Sequence, residues 1–148
     1  MITGTRSVEL LAPADTVYEV LADAQGFPAW QSTVREVHVR EVGPDGRPLA
    51  TRQRIDAKIR TVTVLLRYRY DAPRSLSWVA EKGSDIRAMD GAFLVEPTGE
   101  TSCTVVYELA VDPGRTLGLL ARGPVIDQVR DRVLDGTLSD LKRHVERR

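Results

Sequence analysis

The feature that most constrains this chain is a run of period-two alternation between residues 51 and 70. Thr51, Gln53, Ile55, Ala57 and Ile59 stand against Arg52, Arg54, Asp56, Lys58 and Arg60. Val62, Val64, Leu66, Tyr68 and Tyr70 continue the pattern against Thr63, Leu65, Arg67 and Arg69. Residues two apart in a strand share a face, so the pattern builds antiparallel strands with one dry side and one wet side. Flanking stretches behave alike: Val37 and Val39 alternate with Glu36, His38 and Arg40, and Leu76, Trp78 and Ala80 with Ser77 and Val79. Met89 to Val95 and Thr101 to Val111 complete a meander of six strands. Its turns fall at Gly43-Pro44-Asp45-Gly46, Asp71-Ala72-Pro73-Arg74, Gly83-Ser84-Asp85 and Pro97-Thr98-Gly99-Glu100. Residues 5–11, with Val8 and Leu10 opposite Ser7 and Glu9, add a seventh strand ahead of them.

Two short helices separate that opening strand from the meander. Pro13 suits a first helical turn, where its missing N–H is no loss. Thr16 and Glu19 have capping-box spacing, although Pro13 favours an earlier start. Gly26 to Trp30 forms the second short helix, with Phe27 and Trp30 at i, i+3. Residues 116–147 return to helical spacing, broken at Gly123-Pro124. Beyond the break, Ile126, Val129, Val133, Thr137, Leu141 and Val145 form an apolar stripe, while Arg130, Asp131, Arg132, Asp135, Asp140 and Arg143 fall largely on the other side. A helix of roughly 22 residues is about 33 Å long, enough to lie along a ten-residue strand. The expected architecture is therefore α+β: a curved seven-stranded antiparallel sheet closed over one long C-terminal helix. Residues 1–148 suit a single domain.

Charge and cysteine content narrow the function classes. The formal net charge is zero, so no bulk field draws the chain to nucleic acid, and no partner of that kind is expected. No apolar stretch reaches membrane-spanning length and no leader is visible, which makes the cytoplasm the expected location. Cys103 is the only cysteine; it reads as a small packing residue. His38 and His144 read as solvated surface residues rather than metal ligands. No metal and no cofactor is expected.

The sequence resembles the START/birch-pollen-allergen (SRPBCC) superfamily, and within it the bacterial polyketide cyclase/dehydrase and lipid-transport group. The resemblance rests on Ser-Val-Glu-Leu-Leu-Ala-Pro-Ala-Asp-Thr-Val-Tyr-Glu-Val-Leu-Ala-Asp (7–23), Phe-Pro-Ala-Trp (27–30) and Val-Arg-Glu-Val-His-Val (34–39). It extends to Asp-Ala-Pro-Arg-Ser-Leu-Ser-Trp (71–78), Gly-Ala-Phe-Leu-Val-Glu-Pro (91–97), Thr-Val-Val-Tyr-Glu-Leu (104–109) and Leu-Ser-Asp-Leu-Lys-Arg-His-Val-Glu (138–146). It implies a helix-grip fold and a small hydrophobic ligand (lipid, polyketide or aromatic metabolite) held between sheet and helix. A polyketide aromatase/cyclase or dehydratase in the same cavity, or a non-catalytic protein-interaction module, are the alternatives it leaves open.

Alternation places Gln53, Ile55, Val64, Leu66, Tyr68, Trp78, Met89, Phe93 and Tyr107 on the inner face of the sheet. Val129 and Val133 face them from the helix, and these eleven residues are the expected ligand contacts. Tyr68, Tyr70 and Tyr107 either orient a ligand or bond their hydroxyls internally. Gln53 is open to both a cavity role and a structural one, whereas Asp90, before Gly91, reads as closing a bulge. Trp30 and Trp78 are packing anchors, the latter with access to the cavity. Gly136 marks a close approach or is merely tolerated. Arg52, Arg54, Arg60, Arg67 and Arg69 form a basic stripe on the wet face, read as solvated. No acid–base pair stands out on the inner face, and no catalytic residue is assigned.

Overall fold

The computed structural model describes residues 2–57, 60–115 and 123–147. Lys58, Ile59 and the 116–122 part of the expected helical stretch lie outside the described residues. The strands are β1 (Ile2–Leu10), β2 (Val34–Val42), β3 (Pro48–Asp56), β4 (Thr61–Asp71), β5 (Ser75–Ala80), β6 (Ala88–Gly99) and β7 (Ser102–Asp112). Helix α1 (Ala14–Ala22) and a 3-10 helix (Ala24–Ala29) follow β1, and helix α2 (Pro124–Glu146) follows the sheet. The strands form one antiparallel sheet in the order β1-β7-β6-β5-β4-β3-β2. The meander is thus continuous from β2 to β7, and β1 pairs beside its last strand. This is the expected helix-grip arrangement of seven strands and a long helix.

Four local expectations need correction. β1 runs from Ile2 to Leu10 rather than over 5–11, and Leu11 projects into solvent. Thr16 does not cap α1: the helix starts at Ala14 after an extended Pro13, with no side-chain cap. The second short helix is a 3-10 segment that begins two residues early. The Gly26 N–H donates to the Asp23 carbonyl and the Trp30 N–H to the Phe27 carbonyl, while Pro28 has no N–H to offer a regular α turn. Asp90 closes no bulge, because Val79, Asp90 and Ala110 stand in unbroken register across three strands. Irregular pairing occurs instead at Pro97/Gly99 and along the β2–β3 border.

The inner face follows the alternation. Thr51 and Gln53 of β3, and Val62, Val64, Leu66 and Tyr68 of β4, are buried, with Ile55 and Tyr70 half-buried. On the wet face, Arg54 pairs with Glu36, and Arg67 with Glu41 and Glu81, so acidic neighbours dilute the basic stripe. Asp140, expected on the wet side of the last helix, is buried. Its carboxylate accepts from the Ser32 N–H and hydroxyl, both at 2.8 Å, and from Arg143 at 3.1 Å. This ties α2 to the loop behind the 3-10 helix.

Helix α2 lies closest to β1. A Cβ built at Gly4 would run into Leu134, so glycine is what lets the helix come this near. Arg6 of β1 holds Asp131 at 3.0 Å and Asp135 at 3.1 Å, and Lys142 donates to the Glu9 carbonyl at 3.3 Å. On the opposite flank Arg132 reaches Asp56, at the end of β3, at 3.1 Å. The helix therefore bridges the two sides of a cupped sheet. Its buried surface is wider than the single stripe expected: Leu134 and Leu138 add a second column beside Leu141 and Val145.

Gly136 makes no close approach, since a Cβ there meets nothing within 4 Å. A mid-helix glycine is less favourable than alanine by about 1 kcal/mol. Gly136→Ala is expected to raise stability by about that amount, read as a higher urea midpoint at unchanged slope. A lower midpoint would mean that the open space is needed.

Candidate functional site

Beneath α2 the cupped sheet leaves a cavity of about 120 Å³, partly open to solvent. Engineered apolar cavities on the order of 150 Å³ stay dry and take up benzene, so this one matches a single ring or the end of a longer molecule. Its floor is an aromatic cluster carried by four successive strands: Tyr68 on β4, Trp78 on β5, Phe93 on β6 and Tyr107 on β7. Ring centroids lie 6.0 Å apart for Tyr68–Trp78, 5.2 Å for Trp78–Phe93 and 4.6 Å for Phe93–Tyr107. These are the spacings of favourable tilted ring pairs. Trp78 stands beside Gly91 in register, and its indole lies over that glycine so closely that a Cβ would collide with the ring. Gly91 is therefore a packing requirement of the site, one that the sequence, where only Asp90 beside it is read as closing a bulge, does not signal.

Ten of the eleven expected contact residues line this cavity: Gln53, Ile55, Leu66, Tyr68, Trp78, Met89, Phe93, Tyr107, Val129 and Val133. Val64 does not. It pairs with Gln53 on the same face but is fully buried in the core. Further walls come from Leu109 and Val111, two and four residues beyond Tyr107, and from Thr137, one turn beyond Val133. Strand and helix spacing could have found these three. Phe27, Gln31 and Thr33 enter from the 3-10 helix and the link to β2, where no periodicity signals direction.

The polar groups divide into satisfied and available. Gln53, 2% exposed, donates through Nε2 to the Thr51 hydroxyl at 3.0 Å and to the Tyr68 hydroxyl at 2.7 Å. Tyr70 turns away and donates to the Pro48 carbonyl at 2.6 Å. Tyr107, 6% exposed, has no hydrogen-bond partner for its hydroxyl among the described residues. Burial pushes Tyr107 above its ordinary value near 10. It does the same to Tyr68, against a smaller opposing effect of the bonds to Gln53 and Thr51. Among the described lining residues there is no carboxylate, histidine or thiol; the charged groups are Arg60, which is exposed, and Arg130, which is half-buried.

The remaining candidates lie elsewhere. Cys103 is buried away from the cavity, and burial raises its thiol pKa, which keeps it protonated. His38 is exposed. His144, expected to be solvated, is half-buried and stacks on Trp30 with ring centroids 6.0 Å apart. No group of His, Cys, Asp or Glu able to hold a metal occurs among the described residues. Nor is any described helix long and apolar enough to cross a membrane.

A family model described as polyketide cyclase/dehydrase and lipid transport matches residues 1–146. No curated protein is a sequence match. Among solved structures, a START superfamily protein from Mycobacterium smegmatis is similar at a TM-score of 0.86 and 19% identity, covering 98% of this chain and 97% of that one. The Zhui aromatase/cyclase from Streptomyces sp. R1128 is similar at 0.80 and 20% identity, covering 99% and 94%. The di-domain aromatase/cyclase BexL of the BE-7585A biosynthetic pathway is similar at 0.73 and 26% identity, over 99% of this chain and 47% of that one.

Burial raises the tyrosines at positions 18, 68, 70 and 107, which are all four in the chain. The folded state thus holds protons that the unfolded chain releases near pH 10, so the tyrosine contribution to stability is level below pH 10 and falls above it. A spectrophotometric titration is expected to show little tyrosinate at pH 10 while the fold persists, then release together with unfolding. Half-ionisation near pH 10 in folded protein would contradict the burial of these hydroxyls.

Proposed function

We propose, for a chain that belongs to the polyketide cyclase/dehydrase and lipid transport family, that it binds a small hydrophobic molecule under α2 and carries it without transforming it. The observation that carries this reading is the lining itself. It is an aromatic and aliphatic enclosure with a few neutral polar groups, the usual composition of a small-molecule site. Acid–base chemistry on a poly-β-ketone needs a group that exchanges protons near neutral pH. The described lining offers tyrosines whose pKa values burial moves away from that range. This supports the carrier over the cyclase. The reading sets the role in the cytoplasm, in keeping with a single, unpaired cysteine.

Magnitudes bear on the ligand's size. An aromatic group of about 150–250 Å² gains roughly 4–6 kcal/mol on burial at about 25 cal/mol per Å². Association itself costs at least about 4 kcal/mol. A single ring thus binds weakly on apolar contact alone. Tight binding requires either a longer apolar body reaching past the rim or a well-placed polar contact.

Native mass spectrometry of freshly purified protein, compared with its denatured mass, is expected to show a small molecule released on denaturation. Val133→Trp fills the lumen from α2, and is expected to abolish that added mass while costing about 1–3 kcal/mol of stability. Two results would contradict the reading. One is retention of the same mass in the filled variant; the other is conversion of a poly-β-ketone surrogate to cyclised product by the wild-type protein.

A further inference from the structure

We propose that the cavity selects a neutral ring bearing a hydroxyl group, held by the Tyr107 hydroxyl as donor and the Gln53 carbonyl oxygen as acceptor; this rests on the cavity being a ligand site. The Gln53 amide spends both Nε2 protons on Thr51 and Tyr68, at 3.0 and 2.7 Å. Its carbonyl oxygen Oε1 is left without a partner, although the side chain is 2% exposed and lines the cavity. No sealed side-chain nitrogen or oxygen lacks a partner among the described residues, so this oxygen opens onto the lumen rather than into packed core. The same reasoning applies to the Tyr107 hydroxyl.

Both groups belong to one neighbourhood. Gln53, its partner Tyr68 and Tyr107 all line the same cavity, and Tyr107 is near enough to Tyr68 to oppose its ionisation. Together Tyr107 and Gln53 form a donor and an acceptor on the sheet side of the cavity; the other neutral polar lining side chains, Gln31, Thr33 and Thr137, stand on the link to β2 and on α2. A phenolic or enolic hydroxyl uses both at once: its oxygen accepts from Tyr107 and its proton goes to Gln53. A hydrocarbon leaves both unsatisfied, and a bare ketone satisfies one. A carboxylate fits worst, since it offers no proton to the Gln53 oxygen and carries a charge that burial penalises. Of the lining cations that could partner it, Arg60 is exposed, and Arg130, half-buried, is engaged with Asp127 and Asp131. A free monocyclic phenol and the hydroxylated end of a larger aromatic molecule present the same group, and the larger one extends past the rim.

The test is a calorimetric titration with p-cresol, toluene and p-toluate, read as ratios of affinity within each protein. In the wild type p-cresol is expected to bind about tenfold or more tighter than toluene, the worth of one to two added hydrogen bonds, and p-toluate weaker than either. In Tyr107→Phe and in Gln53→Met the p-cresol-to-toluene ratio is expected to fall towards one. A two-ring phenol, 2-naphthol, binding tighter than p-cresol supports the larger source. Equal affinity for p-cresol and toluene, a ratio untouched by both substitutions, or tighter binding of p-toluate overturns the hydroxyl selection while leaving hydrophobic binding intact. Failure of every probe to bind overturns the hydroxyl selection, and joined to a native mass with no retained small molecule it overturns both.

Discussion

The fold depends on how closely α2 can approach one border of the sheet, β1, with which its contact is most extensive. At Gly4 the helix touches β1 through Leu134, and a Cβ there would force that fully buried leucine to shift. Along the same seam Arg6 pairs with Asp131 and Asp135, and the Leu11 N–H donates to Glu146 at 2.9 Å. Across the cup, Asp56 at the end of β3 takes Arg132. Ion pairs this exposed contribute little each. The apolar contact at Gly4 sets the spacing, and the charges fix the orientation. A helix held at the rims stands off from β4, β5 and β6, with which it makes no extensive contact. The space left beneath it is the cavity.

What fills the floor of that space follows from the strands. Four aromatic rings on consecutive strands would crowd a flat sheet, but Gly91 leaves a gap into which the Trp78 indole folds. The cluster then presents broad apolar faces rather than a plug. Polar residues at the same level are bonded to one another before any ligand arrives: Thr51, Gln53 and Tyr68 form one chain of hydrogen bonds. A network that holds itself in place loses little freedom when a guest binds. The Gln53 carbonyl oxygen and the Tyr107 hydroxyl on the sheet face remain outside it, and they give the enclosure its proposed chemical preference.

The sequence reading succeeded where one periodicity governed the outcome. Alternation over 51–70 assigned the faces of β3 and β4 because a one-residue slip would expose every apolar side chain. It could not tell a cavity wall from solid core, which is why Val64, on the correct face, lies in packed interior. It also missed groups whose direction is set by tertiary contact. Asp140 reads as a wet-face residue until Ser32 is brought over it, and His144 reads as solvated until Trp30 stacks against it. Gln31 and Thr33 sit in a link without regular spacing. Gly91 and Gly4 matter for what they leave out, and a sequence does not say which neighbour will need the room.

The central claim is that an apolar lumen exists between α2 and the Tyr68–Trp78–Phe93–Tyr107 floor. A crystal structure of the protein under xenon pressure tests it most directly, because xenon enters dry apolar voids of this size. The account predicts a xenon atom between Val133 and the aromatic rings, absent when that space is filled by a larger side chain on the helix. Continuous side-chain density in that position, with no xenon bound, would contradict it.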